Sequence, residues 1–257
     1  MAVTRLSRVG RAAVFAPLDQ FTRPELVARS LSDAIALGLL PDAEQLPSEA
    51  DLADRFQVSP TTVRHALSLL RHRGLVETRR GRNGGSFVRA PADPARRVLE
   101  VRLAQTPASD IRDLGDHYAA IGGAAAGLAA ERADEEDVDR LQRASDLVMS
   151  ASNARERRRS EGLFHIEVAA AAQSVRLTRE EIALQRDIAP LIWLPLKGAR
   201  AIREVAEQHE VIAEAIAKGE VSTARRHAEE HVRSAVRSVL QLQRLLKERT
   251  EGRERRP

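Results

Sequence analysis

At 257 residues the chain is long enough for one or two domains with sizeable cores. With 43% hydrophobic and 30% charged residues it is neither a disordered nor a fibrous chain, and 3% aromatics favour helix over sheet. The absence of cysteine excludes disulfides and thiolate metal sites, and no apolar run of about 18 residues is present to span a membrane.

The net charge of +4 is small but unevenly placed. Residues 60–90 hold seven arginines against one acid, Glu77. That excess of six exceeds the excess of the whole chain, and it marks a nucleic-acid footprint. The N-terminal stretch MAVTRLSRVGRAAVFAPL has scattered arginines and no long apolar core, so it is a poor signal peptide. A cytoplasmic protein is expected.

Residues 1–21 read as a flexible arm. From Pro24 the run ELVARSLSDAIALGLL has apolar residues at helical spacing, including Leu26, Val27, Leu31, Ile35 and Leu39. After the loop LPDAEQ, Ser48 begins a second helix with Asp51 three residues on, the capping-box position. The turn QVS leads to Ser59-Pro60. Serine suits an N-cap, and proline suits the first helical position, where its missing N–H costs nothing. The third helix therefore starts at Pro60, carries Thr61, Thr62 and Arg64 in its first turns, and stops at Gly74. Leu75-Val76 and Phe87-Val88 then flank a tip of Arg, Gly and Asn, a two-stranded hairpin.

Helix, helix, short turn, helix and hairpin make a winged helix-turn-helix over residues 22–90. Such a motif sets the start of its third helix against the base edges of a major groove. A small helical bundle with a surface hairpin is the plainer alternative, and it does not account for the basic wing.

Residues 91–107, with three prolines, read as a linker running into a short helix. Residues 108–250 read as six or seven helices with no convincing strand. AAIGGAAAGLAAERA is suited to close helix packing, and Pro190 and Pro195 are expected to bend or break one helix. Residues 251–257 read as a charged tail. The fold class is thus mainly α: a winged helix-turn-helix of three helices and a hairpin wing, followed by an antiparallel helical bundle.

Five of the seven histidines lie in the bundle, at 117, 165, 209, 227 and 231. Glu161 and His165, four apart, share a helix face, as do His227 and His231. Three histidines and a carboxylate suit zinc, nickel or manganese. From spacing alone these histidines read equally well as surface or packed residues.

LPSEADLADRFQVSPTTVRHAL and GLVETRRGRNGGSFV resemble the DNA-binding domain of the GntR family of bacterial transcription regulators. The resemblance implies DNA contacts by Ser59, Thr61, Thr62 and Arg64 in the recognition helix and by Arg80, Gly81 and Arg82 in the wing. Two positions depart from the family, Ala50 and Pro60, where arginine is common. The helical half resembles the FCD domain of the FadR subfamily. That resemblance implies a divalent metal (zinc, nickel or manganese) held by Glu161, His165, His209 and His231, with glutamate where the family has aspartate. It implies a small-molecule effector, an organic acid in many members, with Tyr118 and Trp193 at its site. Aligned on LAAERA, Tyr118 and Gly122 stand where the family carries arginine and glutamate. Tyr118, Trp193 and Phe164 read equally as core packing.

The implied function is a homodimeric DNA-binding regulator, a repressor on a palindromic operator, whose binding the effector modulates. It is not an enzyme and does not meet a membrane. A metal-dependent enzyme tethered to DNA lacks a general base beyond Glu161. A dimeric DNA binder without effector predicts that the C-terminal histidines are replaceable without loss of any metal response.

Overall fold

A computed structural model describes residues 21–37, 39–81, 84–90, 96–196 and 198–254. Among them are ten helices and two strands. The arm over residues 1–20, Arg82 in the wing, residues 91–95 of the linker and residues 255–257 of the tail lie outside the described residues. The chain divides into two compact units, with breaks after Ser32, Glu44 and Phe87.

The head begins with α1 (Arg23–Ala36), which buries Val27, Ala28 and Leu31. The helix expected from Pro24 ends here, earlier than its apolar run suggests. Helix α2 (Glu49–Phe56) starts as expected: the Ser48 hydroxyl accepts from the Asp51 N–H. Its end uses Gln57 at φ 53°, a left-handed conformation rare outside glycine. The Gln57 N–H is spent on the carbonyls of Ala53 and Asp54, and its side chain donates to Asp54 O at 2.7 Å. Helix α3 (Pro60–His72) is capped by Ser59, whose hydroxyl accepts from the Thr62 N–H at 3.1 Å. Val63, Ala66, Leu67 and Leu70 form its buried stripe, and it closes before Gly74 at φ 70°.

Strands β1 (Val76–Arg79) and β2 (Gly85–Val88) pair in one sheet. The loop LPDAEQ adds one element that its sequence did not announce. Gln45 forms an isolated antiparallel bridge with Phe87, and Leu46 N–H donates to Ser86 O at 2.8 Å.

The second unit opens with α4 (Arg96–Gln105), followed by α5 (Ala108–Arg132), α6 (Glu135–Ser150), α7 (Ala154–Ala171), α8 (Val175–Ile192), α9 (Gly198–Ala217) and α10 (Val221–Glu254). Side-chain caps start three of them: Asp134 with Asp137 in a capping box for α6, Asn153 for α7 and Ser174 for α8. Pro190 does not break α8. It sits in the last turn, and the helix ends two residues later, before Pro195. Helix α10 continues to Glu254, into the segment read as a charged tail. The arginines and glutamates there are helix formers, and the single Gly252 does not end the run.

The seam of the bundle is α5 against α10. Glycines of α5 meet residues of α10 in reverse order: Gly115 lies against Val236, Gly122 against Val232, and Gly127 against Val221 and Arg225. The two helices are therefore antiparallel. Gly115 has no spare room, since a Cβ there would stand 2.8 Å from both methyls of Val236. At Gly122 the nearest such atom is 3.9 Å away, an ordinary contact. Farther along α10, the buried Gln243 amide donates to the carbonyls of Leu103, at 3.3 Å, and Thr106, at 2.5 Å, which close α4.

Two alanine substitutions separate close approach from helix propensity. Alanine favours a helix interior over glycine by about 1 kcal/mol. Gly122→Ala is expected to hold or raise the urea midpoint. Gly115→Ala is expected to lower stability by about 1–3 kcal/mol, the usual cost of overpacking. Equal midpoints for the two variants would contradict the packing described.

Candidate functional site

The head presents the start of α3 and the wing. Ser59 and Thr61 are exposed at the helix start, and Thr62 is partly buried. The hydroxyls of Ser59 and Thr62 lie 2.9 Å apart, so each already has a partner. Arg64 is exposed but tied by its Nε to Glu49 Oε2 at 3.2 Å. Arg80 and Gly81 sit exposed at the wing tip, with Gly81 at φ 110°, and Arg82 lies outside the described residues. Arg79 pairs with Glu77 at 2.8 Å and lies 4.1 Å over the Phe87 ring, so it braces the wing. A groove of about 590 Å³ runs between α3 and the wing, lined among others by Glu49, Arg64, Arg71 and Thr78. Helix α3 ends its first turn without an acid, which leaves the positive end of its dipole open to an anion.

In the bundle, Glu161 and His165 stand one turn apart on α7, His209 comes from the middle of α9, and His231 from α10. All four are buried, and their ligand-type atoms lie within 4.8 Å of one another. Metal bonds of about 2.0–2.2 Å place opposite ligands about 4 Å apart, so the set is close to coordination distance. Glu161 Oε1 lies 3.2 Å from His165 Nε2 and 4.0 Å from His231 Nε2. Its other oxygen, Oε2, accepts from Trp193 Nε1 at 3.3 Å. Trp193, expected at an effector site, thus holds the carboxylate in place.

The rings crowd one another. The His165, His209 and His231 centroids are 5.0–5.3 Å apart, and Phe164 stacks on His209 at 3.9 Å. The histidine pair expected at 227 and 231 separates here. His227 is partly buried and outside the cluster, and the exposed His117 pairs with Glu180 at 3.4 Å.

The chemistry of the four residues fits a cation. His209 is 0% exposed, and neither ring nitrogen has a hydrogen-bond partner. His165 Nε2 also has none, because Glu161 is close but not aligned with it. Leaving such groups unpaired costs about 1–3 kcal/mol each. Burial, with the charges of His231 and His165, holds His209 well below the usual histidine range, and burial with the His165 charge holds His231 at about 3. Both are therefore neutral, the form that binds metal. Burial opposes charge on His165 as well, but contact with Glu161 and the carboxylates of Glu161 and Glu181 outweigh it and raise its pKa. Burial likewise opposes charge on Glu161. The His165 contact, the charges of His165 and His231 and the Trp193 hydrogen bond win, and its pKa is lowered.

Three polar residues at this site were not singled out from the sequence. Gln208 Oε1 lies 2.6 Å from His231 Nδ1, which fixes the proton on Nδ1 and leaves Nε2 facing Glu161. Glu181 and Gln185, one turn apart on α8, are buried, and Gln185 Nε2 donates to Glu181 Oε1 at 2.8 Å and to the Tyr118 hydroxyl at 2.6 Å. Tyr118 in turn meets the edge of His165, with centroids 5.7 Å apart. Burial pushes Glu181 up to about 7.

Two measurements follow from these positions. Gln208→Ala is expected to weaken metal binding by about 10–100-fold, the usual effect of removing a partner that orients a ligand, as read by competition with a chromogenic chelator. The second concerns pH. Glu181 titrates at about 7 in the folded chain against 4.5 as its ordinary value, so the folded state keeps a proton that the unfolded state has lost. Its contribution to stability is present below pH 4.5 and fades as pH rises through 7. In metal-free protein, Glu181→Gln is expected to raise the melting temperature at pH 8 and to change it little at pH 5. An equal shift at both pH values would contradict this.

Comparison with known proteins places these two regions. The gntR family of bacterial regulatory proteins matches residues 24–88, and the FCD domain matches residues 113–234. RmpR of Mycobacterium gastri, named as an HTH-type transcriptional regulator, is 39% identical over 226 residues, 87% of this chain and 82% of RmpR. The Glc operon transcriptional activator of Escherichia coli K12 is 24% identical over 84% of this chain and 88% of its own. The structure of E. coli McbR/YncC shares the fold at a TM-score of 0.51 and 16% identity, over 86% of this chain and 99% of that one. The chain therefore belongs to the GntR family, a DNA-binding transcription regulator and not an enzyme, with an FCD domain behind its winged helix.

Proposed function

We propose that the bundle is a metal-anchored receptor for a small-molecule effector, and that effector binding modulates the affinity of the head for its operator. One observation carries this reading: a fully buried histidine, His209, has both nitrogens unpaired beside two more histidines and a carboxylate. Glu161, His165, His209 and His231 would hold a divalent ion such as zinc, nickel or manganese. When bound, the ion supplies a Lewis-acidic anchor for an oxygen of the effector. The residues of the chain do the rest. Trp193 and Gln208 orient Glu161 and His231, and Phe164 covers His209.

One winged helix reads one half-site. We therefore read the working form as a homodimer on a palindromic operator, with Ser59, Thr61, Thr62 and Arg64 at the groove and Arg80, Gly81 and Arg82 at the backbone. In this reading the chain represses and the effector releases it. A relative named an activator makes the direction something for the assay to read. The effector shifts DNA binding only by the difference in its affinity for the two states of the protein.

The test is metal analysis of purified wild-type and His209→Ala protein, followed by binding to a duplex selected from random sequence, with and without chelator. About one metal per chain in the wild type, lost in the variant, with chelator altering operator affinity, is the expected result. Metal-free wild-type protein with unchanged DNA binding would sink the receptor reading and leave a bundle that only dimerises.

A further inference from the structure

The interior of the bundle holds a second acid that the four-residue cluster does not use. Glu181 is 1% exposed, and its Oε1 accepts from Gln185 Nε2. The same amide nitrogen reaches the Tyr118 hydroxyl, and Tyr118 lies against His165, so this trio borders the cluster directly. Gln185 is 0% exposed, yet its Oε1 has no hydrogen-bond partner. Buried acceptors are rarely left in that state without a donor to fill them.

The charges in this region can be counted. Among the described residues, the charged side chains of the second unit that are buried as a whole are carboxylates and histidines, and Arg158 of α7 is partly buried, with one guanidinium nitrogen inside. A divalent ion with Glu161 leaves one positive charge at the cluster. Glu181, one side chain away through Tyr118, brings the region to zero when it is ionised. A ligand entering here thus meets a positive end and, next to it, a carboxylate with an amide oxygen and a phenol. A carboxylate or hydroxyl oxygen suits the first end. At the second, another carboxylate would face the ionised Glu181, and desolvated like charges are costly. A cationic donor would satisfy both Glu181 and the orphaned oxygen of Gln185.

We propose that Glu181, Gln185 and Tyr118 form an ammonium-recognising subsite beside the metal cluster, so that the effector is an amine-bearing chelator of the α-amino-acid class. Its carboxylate lies toward Glu161 and the histidines, and its ammonium toward Glu181 and Gln185 Oε1. The assignment deepens the metal-anchored reading above and rests on it.

The test uses pairs of probes that differ only in amine against hydroxyl: glycine and glycolate, alanine and lactate, aspartate and malate, phenylalanine and phenyllactate. Each is titrated by calorimetry into the full-length metal-loaded protein. In at least one pair the amine is expected to bind at least about tenfold tighter, the effect of one charge-assisted hydrogen bond in a buried site. In Glu181→Gln that ratio is expected to fall to near unity while metal content is retained. Tighter binding of the hydroxy acids, equal binding within every pair, or no binding by any of the four amines overturns the proposal. If Glu181→Gln does not fold, the ratio in wild-type protein still decides. Metal content measured in the same samples separates the two readings. Protein without metal refutes the receptor reading itself, whereas loaded protein without an amine preference refutes only the subsite.

Discussion

The close approach of α5 and α10 sets the positions of everything else in the bundle. Glycine at 115 lets the Val236 methyls reach the backbone of α5, and Val232 lies across from Gly122. His231 is the neighbour of Val232, so the depth at which α10 seats decides how far its imidazole reaches toward Glu161. On α5, Tyr118 lies between these two glycines and is buried by the same seating. Helices that meet through larger side chains stand farther apart than those that meet through glycine. At such a distance His231 would not face Glu161.

Within this frame, polar groups that are costly to bury concentrate at one level of the bundle. Glu161, His165, Glu181, Gln185, His209 and His231 are all buried there, against a background of alanine, leucine, isoleucine and valine. The arrangement does not look built for stability, because a well-packed apolar core of the same volume is usually as stable or better. Several of its atoms lack partners, and the pKa of each ionisable group is displaced by burial and by its neighbours. Such concentrations of displaced groups are typical of places where a protein binds something.

The head was largely legible in the sequence because its signals are local. Ser48, Ser59-Pro60 and Gly74 announce helix ends through backbone chemistry that any reader of the chain can apply. The strand-like bridge at Gln45 was not legible, since it depends on β2 lying nearby. In the bundle, Glu161 and His165 were legible as a pair on one face, and their meeting with His209 and His231 came only through resemblance to a family. Glu181 was missed for a plain reason. In TREEIALQRD it follows Glu180 and precedes apolar residues, and of the two glutamates only the tertiary contacts turn one inward. Gln208 reads as a surface residue because it is one, save for the hydrogen bond at its tip. The prolines misled in the other direction, since Pro190 falls where α8 was about to end.

Helix α10 carries one more consequence. His231 and Gln243 are twelve residues apart on it, about 18 Å along an unbroken rod. The first faces the buried cluster, and the second holds the two carbonyls that close α4. A stiff rod gripped at two points moves at both or at neither. A rotation of α10 that brought His231 nearer to Glu161 would swing the Gln243 amide through the same angle, and the end of α4 would have to follow or lose its cap. The arrangement converts a displacement of an ångström at an imidazole into a change in where the segment entering the bundle is anchored, with no moving part other than the helix itself.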